Sequence, residues 1–355
     1  MQRAAAVVCL AGCWAAIGLQ LTLFARASGT PGVAAGAYGA PAAPGPDAPG
    51  RATTVALAGD VHGEPPIADA LARGENPLAG MTGPLSVADH ALVNVETAVA
   101  RGGVPAAKRY TFRASPRLWG ALRRSGVDVV SLANNHALDY GRGALRETIR
   151  GARGAGLRVV GAGRGARAAY RPVVLGRRGE RVAFLGLTRV LPTTAWAATP
   201  HRSGLASAYD EGAADRAVRA AARRAERVVV SVHWGQELSP CPNAVQRRLA
   251  RRLVAAGADV VAGHHPHVLQ GIERRGRALV GYSLGNFVFY ARHESTRATG
   301  VLTARLDDRG AVGHRFDPAR IDSGGMPRLL RGARRGRRLS ELRTLRPGGR
   351  RCPPG

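Results

Sequence analysis

Aromatic residues make up only 5% of the 355-residue chain. Proteins that hold single-stranded nucleic acid stack bases on aromatic rings, and so thin a supply gives no such platform. Lysine is rarer still: of 52 Lys and Arg residues, Lys108 alone is lysine. The formal charge of +28 is therefore an arginine charge, as GC-rich coding produces, and no recognised nucleic-acid motif accompanies it. Nucleic acid is not an expected partner; a solvated basic surface that tolerates anionic polymers or anionic lipid is expected. Cysteine is nearly missing too. Of four, Cys9 and Cys13 lie in an apolar N-terminal run, while Cys241 and Cys352 lack the spacing of a zinc knuckle or redox pair. In an oxidising compartment a disulfide between the last two stays open. No internal repeat is found.

What is present begins with an address. Arg3 precedes an apolar run over residues 4–24, followed by Ala25-Arg26-Ala27, the layout of a secretory signal with a small-residue cleavage site. The run approaches the ~20 residues of a membrane helix, so an uncleaved anchor is a second reading. Leu10-Ala11-Gly12-Cys13, which resembles a lipobox, gives a third. All three send the rest of the chain across the membrane, so the protein is expected to be exported, membrane-anchored on the extracytoplasmic side or secreted. After residues 1–27, the Gly/Pro/Ala composition of 28–52 reads as a flexible linker. A folded domain is expected over 53–325, and the Arg- and Gly-rich stretch 326–355 reads as a poorly ordered tail.

Within the domain, short apolar runs at 54–58, 91–94, 127–132, 182–187, 228–232 and 259–262 predict buried strands. Stretches of helical period at 116–125, 141–155, 211–225 and 244–256 fall between several of them, which argues for an α/β domain with largely parallel pairing. Two later hairpins are predicted, around Arg274–Arg277 and Asp307–Gly310. Antiparallel strands joining a βαβ core predict two mixed sheets packed face to face with helices outside, a four-layer α/β/β/α sandwich.

The chemistry gathers at the C-terminal ends of the predicted strands, where open α/β sheets bind ligands. In order these ends carry Asp60 and His62; Asn94 and Glu96; Asn134, Asn135 and His136; His233 with Glu237; and His264, His265 and His267. Singly, an Asp-x-His after a strand is a common turn former or cap, and Asn94-Val95-Glu96 says little. Together they form a donor series. Two divalent ions roughly 3.5–4 Å apart can share a bridging carboxylate and water, and the bound water then ionises near neutral pH. Imidazole, carboxylate and amide donors suit Mn, Fe or Zn.

Gly59-Asp-Val-His-Gly63, Asn135-His136 and His265-Pro-His267 resemble the motifs of calcineurin-like metallophosphoesterases. The fuller match is to the CapA/PgsA family of capsule and poly-γ-glutamate synthesis proteins: Phe112-Arg-Ala114, Leu132-Ala-Asn-Asn-His-Ala-Leu-Asp-Tyr-Gly141, His233-Trp-Gly-Gln-Glu237, His265-Pro-His-Val-Leu-Gln270 and Tyr282-Ser-Leu-Gly-Asn-Phe-Val-Phe289 occur in that family's order. The resemblance covers about residues 53–320 and implies a metallophosphatase-like fold. It implies one metal on Asp60, His62 and His267, and another on Asn135, His233 and His265, with Glu96 bridging. It makes His136 the general acid, and it places Arg113, Asn134 and Asn286 at the substrate. Where phosphatases put an acidic residue directly after Asn-His, this chain has Ala137, with Asp139 two residues further on. The implied function is capsule or poly-γ-glutamate biosynthesis or export with a metal-dependent hydrolase-type centre. The implied partners are poly-γ-glutamate or capsular polysaccharide, envelope biosynthesis proteins and the membrane. A non-catalytic polymer-binding assembly factor and a secreted metallophosphoesterase are the alternatives.

Overall fold

The computed structural model describes residues 52–352; the N-terminal signal or anchor, the lipobox-like segment and nearly all of the linker lie outside the described residues. Nearly continuous apolar runs build the centre of the fold. Strand β1 (Thr53–Val61) buries every residue but Thr54, as a strand covered on both faces must. It runs parallel to β2 (His90–Val95), which pairs in turn with β3 (Val129–Ser131) and β4 (Arg158–Val160). A second sheet has parallel strands β6 (Val182–Thr188), β7 (Arg227–His233) and β8 (Val260–His264) beside the edge strand β5 (Val173–Leu175). The hairpin of β9 (Ile272–Arg275) and β10 (Ala278–Gly281) closes its other edge. The chain then returns to the first sheet. There β11 (Asn286–Val288) lies parallel to the end of β1, and β12 (Ala298–Asp307), β13 (Gly310–Ile321) and β14 (Pro327–Leu329) extend it antiparallel.

Side-chain alternation along these strands sorts the core into layers. Val55, Leu57, Leu92 and Val129 of the first sheet meet Phe184, Val229, Val260 and Leu279 of the second. The opposite face of the first sheet, with Ala56, Ala58 and Val93, packs on helices α1 (Arg117–Arg124) and α2 (Gly141–Gly154) through Leu118, Leu122, Leu145 and Ile149. The outer face of the second sheet, with Leu185, Val230 and Val232, packs on α3 (Glu211–Ala222) and α4 (Ala244–Ala255) through Val218, Leu249 and Leu253. The result is the four-layer α/β/β/α sandwich. Helix α4 starts at a capping box, in which Asn243 and Gln246 satisfy each other's amides. Among the described residues no helix is long and apolar enough to cross a membrane.

Two glycines hold the C-terminal ends of central strands at backbone contact with neighbouring chain. A Cβ on Gly59 would lie 1.9 Å from the Gly285 carbonyl oxygen, and one on Gly263 would lie 1.9 Å from that of Tyr282. Only glycine permits either approach, and Asp60 and His264 follow them directly.

The C-terminal stretch departs from the expected disordered tail. It forms β14 and helix α5 (Gly332–Thr344), and Cys352 is disulfide-bonded to Cys241 across a separation of 111 residues. Leu339, Leu342 and Leu345 recur every third residue, one apolar stripe among arginines. Leu342 is buried in the layer between the sheets, and Leu339 packs against it.

Candidate metal centre

Asp60 lies near the end of β1, Glu96 directly after β2, Asn134–His136 after β3, His233 at the end of β7 and His264–His267 at and beyond the end of β8. Parallel pairing within each sheet brings these ends together. The turn after β8 is bent hard: His265 and His267 have φ of 94° and 57°. A non-glycine residue there costs roughly 1–3 kcal/mol. The backbone amide of His265 donates to Asp60 Oδ2 at 3.2 Å, which helps hold that turn.

Glu96 is fully buried and neither of its oxygens has a hydrogen-bond partner. Its Oε1 stands 3.4 Å from His233 Nε2, 3.9 Å from His267 Nε2 and 4.0 Å from His136 Nε2. Burial, then the charges of Asp60 and Glu237, push its carboxyl well above the usual range. A buried carboxyl left bare is costly, and a cation is what would make it favourable. Burial pushes Asp60 upward too, but His264, His267 and Asn94 hold it below its ordinary value. Burial and the neighbouring His265 and His264 keep His233 well below the normal imidazole range, and burial with His267 brings His265 to about 3. Neutral imidazoles of this kind keep a lone pair free for a metal.

Three donor groups each lie within a 4.8 Å span: Glu96 with His233 and His265, Asp60 with Glu96 and His267, and Glu237 with His265 and His267. Two of them share Glu96, as a bridging carboxylate requires. Asn135 Oδ1 lies 2.7 Å from His233 Nε2 and joins the first group. The donor set therefore fits divalent metal. Six of the seven expected ligands converge: Asp60, Glu96, Asn135, His233, His265 and His267.

His62 does not. Its Nδ1 faces the Glu64 amide at 2.9 Å and its Nε2 the Tyr290 amide at 3.1 Å, so both nitrogens point at backbone N–H groups. Its ring is fixed there by Phe289, Tyr290 and Phe112, with centroids at 3.8, 4.7 and 5.2 Å. Of the three expected substrate contacts, Asn134 and Arg113 are placed elsewhere, while Asn286 lines a cleft beside His136 and His267. Asn134 is fully buried; it donates to Asn94 Oδ1 and the Val95 carbonyl and accepts from the His136 amide, so both of its N–H donors are used within the protein. Arg113 lays its guanidinium over the Tyr140 ring at 4.6 Å. Asn286 Oδ1 lies 2.8 Å from His267 Nδ1, while its amide nitrogen donates to the Thr296 carbonyl. That fixes the His267 tautomer with Nε2 free toward Glu96.

His136 is held as a general acid would be. Its Nδ1 is 2.6 Å from Asp139 Oδ2, and Lys108 Nζ is 2.6 Å from the other oxygen of Asp139. Phe112 stacks on its ring at 4.0 Å. Burial lowers the His136 pKa, and Asp139 pulls it back upward. A cleft of about 320 Å³ opens over His136, His267 and Glu237, and its basic wall is Arg292 rather than Arg113. The sequence places Asn94 and Glu237 among the strand-end donors without a ligand position of their own, and it gives Lys108 no role. Asn94 donates to Asp60 Oδ1 at 2.8 Å and lies 3.3 Å from His233 Nδ1. The one signal available for Lys108 was its being the only lysine.

The family described as "Bacterial capsule synthesis protein PGA_cap" matches residues 54–291. The capsule biosynthesis protein CapA of Bacillus anthracis is 35% identical over 207 residues, 58% of this chain and 50% of that protein. The PGA biosynthesis protein CapA of Bacillus subtilis is 37% identical over 202 residues, 57% of this chain and 52% of that protein. The matched stretch thus spans about half the length of these curated relatives. Among solved structures, the Thermus thermophilus sulfate thiohydrolase SoxB aligns with a TM-score of 0.40 at 15% identity, over 71% of this chain and 42% of that one.

Proposed function

The chain belongs to the PGA_cap family of bacterial capsule synthesis proteins, and on that premise we propose that it acts in capsule or poly-γ-glutamate biosynthesis or export through a metal-dependent hydrolase-type centre. The observation that carries the catalytic part is Glu96: a fully buried carboxyl without a hydrogen bond, ringed by imidazole nitrogens. Asp60, Glu96 and His267 would hold one divalent ion, and Glu96, Asn135, His233 and His265 a second, with Mn, Fe or Zn suited to such donors. When bound, such ions polarise the scissile group and make water a nucleophile near neutral pH. His136 gives a proton to the leaving oxygen, and Asp139 orients the ring and stabilises its charged form. Phe112 limits ring rotation, and Asn286 keeps the donor nitrogen of His267 turned inward.

The protein is proposed to work outside the cytoplasm, on or released from the membrane, with an anionic polymer and envelope biosynthesis proteins as partners. The Cys241–Cys352 disulfide supports an oxidising compartment. Elemental analysis of the purified chain, followed by ester and amide turnover with and without chelator, tests the centre. Bound metal and chelator-sensitive turnover are expected. A metal-free chain with undiminished function would remove the hydrolytic reading.

A further inference from the structure

A second basic feature lies away from the metal centre, where the open edges of the two sheets meet. Helix α2 presents Arg146, Arg150 and Arg153, spaced to fall on one face. Strand β4 adds Arg158, and the segment between β4 and β5 adds Arg164 and Arg171. These six arginines line a cavity of about 570 Å³ in which no acidic side chain takes part. None of the six guanidinium groups makes an ion pair or hydrogen bond among the described residues, whereas arginines elsewhere, such as Arg181, Arg248, Arg252 and Arg320, are paired with carboxylates. Arg164 and Arg171 also border an adjoining hollow of about 930 Å³, which carries Arg167, Arg216 and Arg224. Its single acid, Asp210, caps α3 through the Ala213 amide and lies 3.9 Å from Arg216. Like charges crowded in a concavity raise its potential and concentrate counter-anions there.

We propose that this trough is a binding site for an extended polyanion, a flexible chain of repeated carboxylates or phosphates, gripped by the six unpaired arginines. Guanidinium forks match either anion. A concave trough two lobes long admits a chain, whereas a flat membrane surface would not reach its walls. It shares no lining residue with the metal centre. The inference deepens the polymer-handling part of the proposed function and is independent of the hydrolytic part.

The test uses the full chain and two labelled probes at fixed ionic strength, poly-γ-glutamate and polyphosphate. Arg146→Gln/Arg150→Gln/Arg153→Gln is compared with Arg334→Gln/Arg335→Gln/Arg337→Gln, which removes equal charge from another exposed helix. The first triple is expected to weaken binding about tenfold or more while metal content stays unchanged, and the second to change it little. Loss with poly-γ-glutamate alone assigns a carboxylate site; parallel loss with both probes assigns any repeated anion. Arg158→Gln/Arg171→Gln reaches the same cavity from the strand side, should the helical triple fold poorly. Equal losses in both triples, or none in either, overturn the trough and leave the polymer reading standing. A wild-type chain that binds anionic phospholipid vesicles but neither polymer overturns both.

Discussion

At the scale of single residues, Glu96 and Lys108 bear the most weight. Glu96→Gln keeps the shape of the side chain and removes its charge, so it should release metal and abolish turnover. In chelator-treated protein the sign of its stability effect reverses. A carboxyl whose pKa is raised on folding contributes stability at low pH that is lost as pH rises toward that raised value. Metal-free wild type should therefore fall in thermal midpoint relative to metal-free Glu96→Gln as pH is taken from about 5 to 8. A constant gap across that range would mean that Glu96 is not desolvated. Lys108 occupies a spot where arginine would not serve: its ammonium meets Asp139, the Asn135 carbonyl and the Trp196 ring together. A compact charge fits among three such partners, and a planar fork does not. Asp139→Asn and Lys108→Arg should each lower kcat by roughly 10²-fold or more, toward the loss for His136→Ala, with metal retained. Equal metal loss in His136→Ala would make His136 a ligand instead.

Elements show what the chain made legible and what it hid. The strand ends were readable because long apolar runs stop abruptly at Asp60, His233 and His264, each a polar group at the point where the sheet ends. The ligand turn after β8 was readable as His-x-His, but its left-handed backbone at His265 and His267 was not, since nothing local demands it. The side-chain directions of His62, Arg113 and Asn286 were not readable either, because each is set by a neighbour that the local pattern does not reveal: Tyr290 for His62, Tyr140 for Arg113, and His267 with Thr296 for Asn286. Helix α5 was masked by its arginines. Three leucines at a spacing of three are a weak signal within so charged a stretch, and they acquire meaning only when a sheet edge lies beneath them. Leu342→Ala should cost about 2–3 kcal/mol in unfolding free energy, as a buried leucine does. A cost near zero would show that α5 is not docked.

The whole molecule carries a charge that works against its own compactness. With 52 basic and 24 acidic residues, self-repulsion opposes folding, and the surface ion pairs that offset it are individually weak. Salt shortens the Debye length from about 10 Å at 0.1 M to about 3 Å at 1 M, screening the long-range repulsion more completely than contacts at hydrogen-bond distance. The thermal midpoint of the full chain should therefore rise as sodium chloride is raised from low to moderate concentration. A polyanion added at constant ionic strength should raise it further, because a ligand that binds the folded state stabilises it by mass action. The increment should shrink in Arg146→Gln/Arg150→Gln/Arg153→Gln, which also begins from a slightly higher midpoint because three repelling charges are gone. A midpoint that falls with salt would mean that ion pairs, not net charge, govern the electrostatic stability of this fold.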